Sequence, residues 1–177
     1  MHISHKMQSR LEAPVAVIFG CGNILLGDDG FGPAVIEQLR QSDLPESVRA
    51  IDAGTAIREY LLDYLMLPAL RPAMLIVVDA WSAAGDAPGQ VRQCVPADLP
   101  LQKTHDFSLH QFPTVNLLAE LAEETGIEVV LIIARTGSIP DRIEPGLSPV
   151  MQAAVDTACT RILRIVRPYT ALEETTS

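Results

Sequence analysis

The sequence predicts a three-layer α/β fold: a twisted, mostly parallel sheet of about five strands with helices on both faces. Three observations predict it. Strand-like and helix-like segments alternate from residue 15 to residue 167. The strand candidates at 15–19, 74–78 and 128–134 are apolar without a period of two, the pattern of strands buried on both faces. A glycine-rich turn carrying Asp28 and Asp29 joins the first strand to the first helix, the place where such sheets usually keep a site.

The elements follow in order. Residues 1–14 read as a flexible lead-in, with His2 and His5 on an exposed tail. The first strand runs into Gly20-Cys21-Gly22-Asn23-Ile24-Leu25-Leu26-Gly27-Asp28-Asp29-Gly30-Phe31-Gly32-Pro33. Pro33 suits a first helical turn, where a missing N–H costs nothing. The helix over 34–40 puts Val35, Ile36 and Leu39 on one face. A second strand at 48–51 ends on Asp52-Ala53-Gly54-Thr55, with Thr55 placed to cap a helix over 57–67. Leu61, Leu62 and Leu65 give that helix its apolar side, and Pro68 ends it. Asp79 stands at the C-terminal end of the 74–78 strand. Residues 91–95 have no helix before them and read as an antiparallel edge member. A helix over 115–125 follows, with Leu117, Leu118 and Leu121 inward and Gly126 as its stop. After the strand at 128–134, a loop with two prolines and two glycines leads to Ser148-Pro149. These open a last helix to 167, with Val150, Ala154, Ala158, Ile162 and Ile165 inward. A single domain over 15–168 and a flexible tail over 169–177 result.

Composition narrows the function classes. The chain has 177 residues, is 48% hydrophobic and carries a formal net charge of -9. Mean hydropathy is +0.22 and the pI about 4.8. A chain this apolar fills a core, and one this acidic has no basic stripe for a nucleic acid backbone. Cys21, Cys94 and Cys159 are scattered and odd in number, which fits reduced thiols in the cytoplasm and neither a disulfide frame nor a cysteine zinc site. No apolar h-region opens the chain, and no apolar run is long enough to cross a membrane.

Asp28, Asp29, Asp79 and His110 fall at strand ends or on neighbouring loops, which converge on one edge of a parallel sheet. Asp29, Asp79 and His110 can form an oxygen and nitrogen metal site, or serve as a general acid and base. The plainer alternative is that Asp28 caps a helix, Asp79 ends a strand and His110 packs on the surface. Asp52 either turns the chain or matches the ribose acid of a dinucleotide fold. The dinucleotide reading fails at Gly20-Cys21-Gly22: Leu25 occupies the third glycine position, and two acids stand where a pyrophosphate would lie. There is no Walker loop, and Ser108 lacks a nucleophile elbow. Cys21 as a nucleophile, with His105 or His110 as base, is disfavoured because the nearby acids would raise its pKa.

Gly22-Asn23-x-Leu25-x-x-Asp28-Asp29-Gly30-x-Gly32 resembles the signature of the hydrogenase maturation endopeptidases. Asp52-x-Gly54-Thr55, Val77-Val78-Asp79-Ala80 with Pro88-Gly89, and Ser108-x-His110 resemble three further motifs of that family, in the right order. The resemblance implies a twisted sheet flanked by helices and removal of a C-terminal extension from a nickel–iron hydrogenase large-subunit precursor. It also implies that Asp29, Asp79 and His110 contact nickel that arrives with the substrate, with no resident organic cofactor. Many members have glutamate first, so Asp29 is one methylene shorter. A monomer in the cytoplasm is expected, with Trp81, Phe107, Phe112 and Phe31 as a possible apolar contact patch. Two other readings stand beside this one: a non-catalytic assembly chaperone that inspects the nickel centre, and an unrelated small-molecule hydrolase.

Overall fold

A computed structural model describes residues 13–82, 87–99 and 112–174. Five strands form one sheet: β1 (Ala16–Cys21), β2 (Val48–Gly54), β3 (Met74–Trp81), β4 (Val91–Cys94) and β5 (Glu128–Arg135). Their spatial order is β2-β1-β3-β5-β4, with β4 antiparallel to β5 and every other pairing parallel. Among the described residues, four α-helices cover it: α1 (Phe31–Arg40), α2 (Ile57–Met66), α3 (Phe112–Thr125) and α4 (Pro149–Glu174).

The faces follow from strand parity. Ile18, Ile76, Val78 and Ile132 point to one side, where α1 and α4 supply Val35, Leu39, Ala154 and Ile162. Val17, Phe19, Leu75 and Leu131 point to the other, where α2 and α3 supply Leu61, Tyr64, Leu118 and Leu121. Both faces of the central strands are therefore covered, which is why their sequences do not alternate. Each fully buried Leu, such as Leu39, Leu61 or Leu121, contributes about 1.5–3 kcal/mol of apolar transfer.

Topology positions the site. The chain leaves β1 for β2 on one side, then returns past β1 to β3 on the other. Right-handed crossovers place α1 and α2 on opposite faces, so a crevice opens at the C-terminal ends of β1 and β3. Close helix packing sharpens this edge. A Cβ on Gly20 would collide with the Gly32 carbonyl; one on Gly32 would collide with the Cys21 carbonyl and stand 2.6 Å from that of Val78. Absence of side chains there lets α1 start directly over the strand ends.

The structure departs from several local expectations. Ala56, not Thr55, takes the N-cap position of α2, with no side-chain cap. The Arg71 guanidinium instead secures the other end of that helix, donating to Tyr64 O at 2.7 Å and Leu65 O at 2.9 Å. Leu62 is exposed rather than part of the apolar face. Val150 is also exposed, because Met151 takes the inward place at the start of α4. That helix continues to Glu174 with Pro168 inside it. Gly126 does end α3, at φ +73°.

Candidate active site

The glycine-rich turn between β1 and α1 folds into a short 3-10 helix, Gly27–Gly30, which buries both acids. Successive residues of such a turn point about 120° apart, so Asp28 and Asp29 reach different partners. Asp29, 5% exposed, turns back over the loop, and its Oδ2 accepts the Asn23 N–H at 2.7 Å. Gly22 sits at φ +123°, and a Cβ on it would collide with the Asp29 carbonyl.

Asp79 lies inside β3 rather than beyond its end, paired in register with Ile133. It shares the face of Leu75 and Val77, as Cys21 shares that of Val17 and Phe19. Its Oδ1 accepts the Ala80 N–H at 2.8 Å. Burial, then the Asp29 charge, raise its pKa from 3.8 to about 7, against the opposing effect of that backbone bond. A carboxyl so poised can hold or accept a proton near neutrality.

Cys21 is buried, and its thiol is pushed well up by desolvation and by the charges of Asp79, Asp52 and Asp29. A thiolate there would be both dry and surrounded by carboxylates, which weighs against the nucleophile reading. Asp52 is exposed and closes a turn, accepting the Gly54 N–H at 3.0 Å, while Gly54 O accepts the Gly22 N–H at 3.0 Å.

One of the two readings left open for Asp28 was a cap of α1. The N-cap is Gly30, without a side-chain bond, and Asp28 points elsewhere. Its Oδ1 accepts the Ser148 N–H at 2.7 Å, and its Oδ2 accepts the Ser148 hydroxyl at 3.0 Å. The buried Thr136 hydroxyl stands 3.3 Å from the same Oδ2. Thr136 and Ser148 escaped the sequence reading because both partners lie more than a hundred positions away.

The structure thus brings Asp29, Asp79, Cys21 and Asp52 to one edge. His110, His105, Asp106, Phe107 and Ser108 lie outside the described residues. Among the described residues, no three His, Cys, Asp or Glu side chains are arranged to hold a metal ion. Of the expected aromatic patch, Phe31 is fully buried under α1 and Trp81 is half-buried at the end of β3. The exposed apolar side chains on the site loops include Ile24, Leu25 and Ile143, 60%, 44% and 73% exposed. Their loops are joined by backbone bonds from Glu144 N to Leu25 O and from Gly27 N to Glu144 O, each 2.9 Å.

Two acids at the switch point of a parallel sheet, on a glycine turn and its neighbouring strand, stand where an α/β enzyme commonly keeps its site. Comparison with known proteins makes the class specific. The family model described as hydrogenase maturation protease matches residues 33–165. A putative hydrogenase maturation protease of Methanocaldococcus jannaschii is 38% identical over 149 residues, 83% of this chain and 93% of that protein. The hydrogenase 2 maturation protease of Escherichia coli is 32% identical over 154 residues, 85% of this chain and 90% of its own. The solved structure of the hydrogenase maturating endopeptidase HybD from E. coli superposes with a TM-score of 0.66 at 31% identity, covering 87% of this chain and 93% of that one. The chain belongs to the hydrogenase maturation protease family and is an enzyme of the peptidase class.

Proposed function

We propose that this enzyme removes a C-terminal extension from the nickel-loaded precursor of a nickel–iron hydrogenase large subunit. The observation that carries the reading is Asp29 on the turn after β1 and Asp79 on the neighbouring β3, near enough that burial and the Asp29 charge push the Asp79 pKa up to about 7. Asp29, Asp79 and His110 are the catalytic residues and the contacts to nickel. The nickel belongs to the substrate, and no resident organic cofactor takes part. The precursor is the partner; the enzyme works as a monomer in the cytoplasm, through one domain over 15–168. Among the described residues, no helix is long and apolar enough to cross a membrane.

The chemistry follows from the two acids. Nickel entering with the precursor brings a cation to the carboxylates and sets the register of the scissile bond. One carboxylate takes the proton of the attacking water as its oxygen adds to the carbonyl carbon. The same proton then leaves with the amine as the peptide bond breaks. Nickel near Asp79 favours its ionised form, so the substrate itself readies the base.

Mass spectrometry of the cognate precursor, with and without nickel, tests the proposal. The expected result is loss of a C-terminal peptide from the loaded form alone. An uncut precursor, confirmed to be loaded and cognate, would point instead to a chaperone. Cutting regardless of nickel would keep the protease and remove the metal from recognition.

A further inference from the structure

Asp28 has no place in the chemistry above, yet its carboxylate accepts from one backbone N–H and two hydroxyls. Its partners show what it joins. Thr136 follows the last residue of β5, and its N–H donates to Trp81 O of β3 at 2.9 Å. Ser148 precedes Pro149, the first residue of α4. In the sheet, β1 and β5 flank β3 on either side. The Asp28 bonds therefore run from the turn after β1 to the end of β5, across the strand that carries Asp79.

We propose that Asp28 is a positioning residue: a carboxylate clamp across the end of β3 that sets where Asp29 stands relative to Asp79. The inference rests on Asp29 and Asp79 being the working pair. The turn is short, so its two acids move together. Fixing Asp28 on Thr136 and Ser148 fixes the peptide unit that carries Asp29, and the Asn23 N–H then holds the Asp29 carboxylate from the opposite side. The paired backbone bonds between Gly27, Leu25 and Glu144 brace the same turn before Asp28, and the Asp29 N–H donates to Leu26 O at 3.2 Å, so the clamp adds side-chain bonds to a turn already closed by its backbone. Thr136 Oγ1 also stands 3.3 Å from Ser138 O, so its single proton is shared between that carbonyl and Asp28. The Ser148 N–H at 2.7 Å is thus the firmest bond of the clamp.

The test compares Asp28→Ala, Asp28→Asn and the Thr136→Val/Ser148→Ala double variant with a core control, Leu121→Ala, each at a temperature where it is fully folded. Two readouts are taken: steady-state cleavage of loaded precursor, and hydrogen exchange at the Asn23 amide. A displacement of Asp29 by roughly 1 Å predicts a kcat about 100-fold lower in Asp28→Ala with KM changed by less than about 3-fold. Asp28→Asn, which keeps an acceptor for the Ser148 N–H, recovers about 10-fold of that loss. Asn23 exchange accelerates in Asp28→Ala and in the double variant, but not in Leu121→Ala. Unchanged kcat and unchanged Asn23 exchange in folded Asp28→Ala would overturn the proposal, as would an equal kcat loss in Leu121→Ala. Should Asp28→Ala not fold, the same pair of results in the double variant decides. Should the wild-type enzyme leave the precursor uncut, the proposed function falls, and Asn23 exchange alone decides on the clamp.

Discussion

Two carboxylates one strand apart have opposite surroundings. Asp28 is met by a backbone N–H and two hydroxyls, all neutral donors pointed at it by β5 and α4. Asp79 is met by the N–H of its own neighbour and by the charge of Asp29. At Asp79, burial and a like charge disfavour the ionised carboxylate. The first region spends its polar contacts on holding the turn still. The second keeps a carboxyl close to the balance point between its two protonation states, at the expense of stability. The proposed chemistry draws on the less comfortable of the two.

The sharpest way to break this comparison is to make Asp79 comfortable. Asp79→Asn keeps the shape, removes the charge and cannot accept a proton. Cleavage of loaded precursor should fall at least about 1,000-fold, as loss of a general base and a metal contact together demands. Circular dichroism should show the fold intact. Cleavage within ten-fold of wild type would remove Asp79 from the chemistry.

The same substitution should stabilise the fold, with a defined pH dependence. The folded pKa of Asp79 is raised from 3.8 to about 7. Between those values the folded state binds more protons than the unfolded one, so stability falls as pH rises through the window. Below pH 4 the group contributes nothing to this loss; above pH 7 the loss is complete. Three pKa units set a ceiling of about 4 kcal/mol, and the Asn amide carries a desolvation cost of its own. A gain of about 2 kcal/mol at pH 8, vanishing near pH 4, is therefore expected in denaturant melts. A gain equal at both pH values would mean that the Asp79 charge is not strained in the fold.

At the clamp the sign reverses. Thr136→Val is nearly isosteric and removes one hydroxyl from Asp28. It should cost about 1 kcal/mol, at pH 6 and pH 8 alike, because the Ser148 bonds remain. A stabilising effect would mean that the Thr136 hydroxyl is a burden and not a partner.

What the sequence could reveal divides along similar lines. Strand and helix order, the antiparallel β4 and the Gly126 stop are local signals, carried by periodicity and by one backbone preference. Asp29 and Asp79 were legible because strand ends of a parallel sheet converge whatever the details. The helix cap offered as one alternative for Asp28 does not form: capping is a local habit, while its real partners depend on where β5 and α4 close. Thr136 carries no local signal, and Ser148 shows only a helix start. Phe31 was assigned to a contact surface because a loop aromatic and a helix-start aromatic look alike in sequence. The Phe31 ring belongs instead to the core on the α1 side of the sheet.

The smallest effect belongs to Cys21, and it tests how far the acidic edge extends its influence. This thiol lies nearest the acids of the second region, with its pKa pushed up first by burial and then by Asp79, Asp52 and Asp29. If those carboxylates and not the thiol perform the reaction, Cys21→Ala should leave kcat within about two-fold of wild type. The small sulfur lost from the apolar face of β1 should cost about 1 kcal/mol of stability. Iodoacetamide at pH 8 should modify the folded wild-type chain far more slowly at Cys21 than at half-buried Cys94, as peptide mapping would read. Both thiols are raised by burial first, but Cys94 faces Asp98 and the opposing charge of Arg92, whereas Cys21 faces three acids. Rapid modification of Cys21 together with loss of cleavage would put a thiolate at the centre of the site, and the contrast between Asp28 and Asp79 would then concern its walls rather than its chemistry.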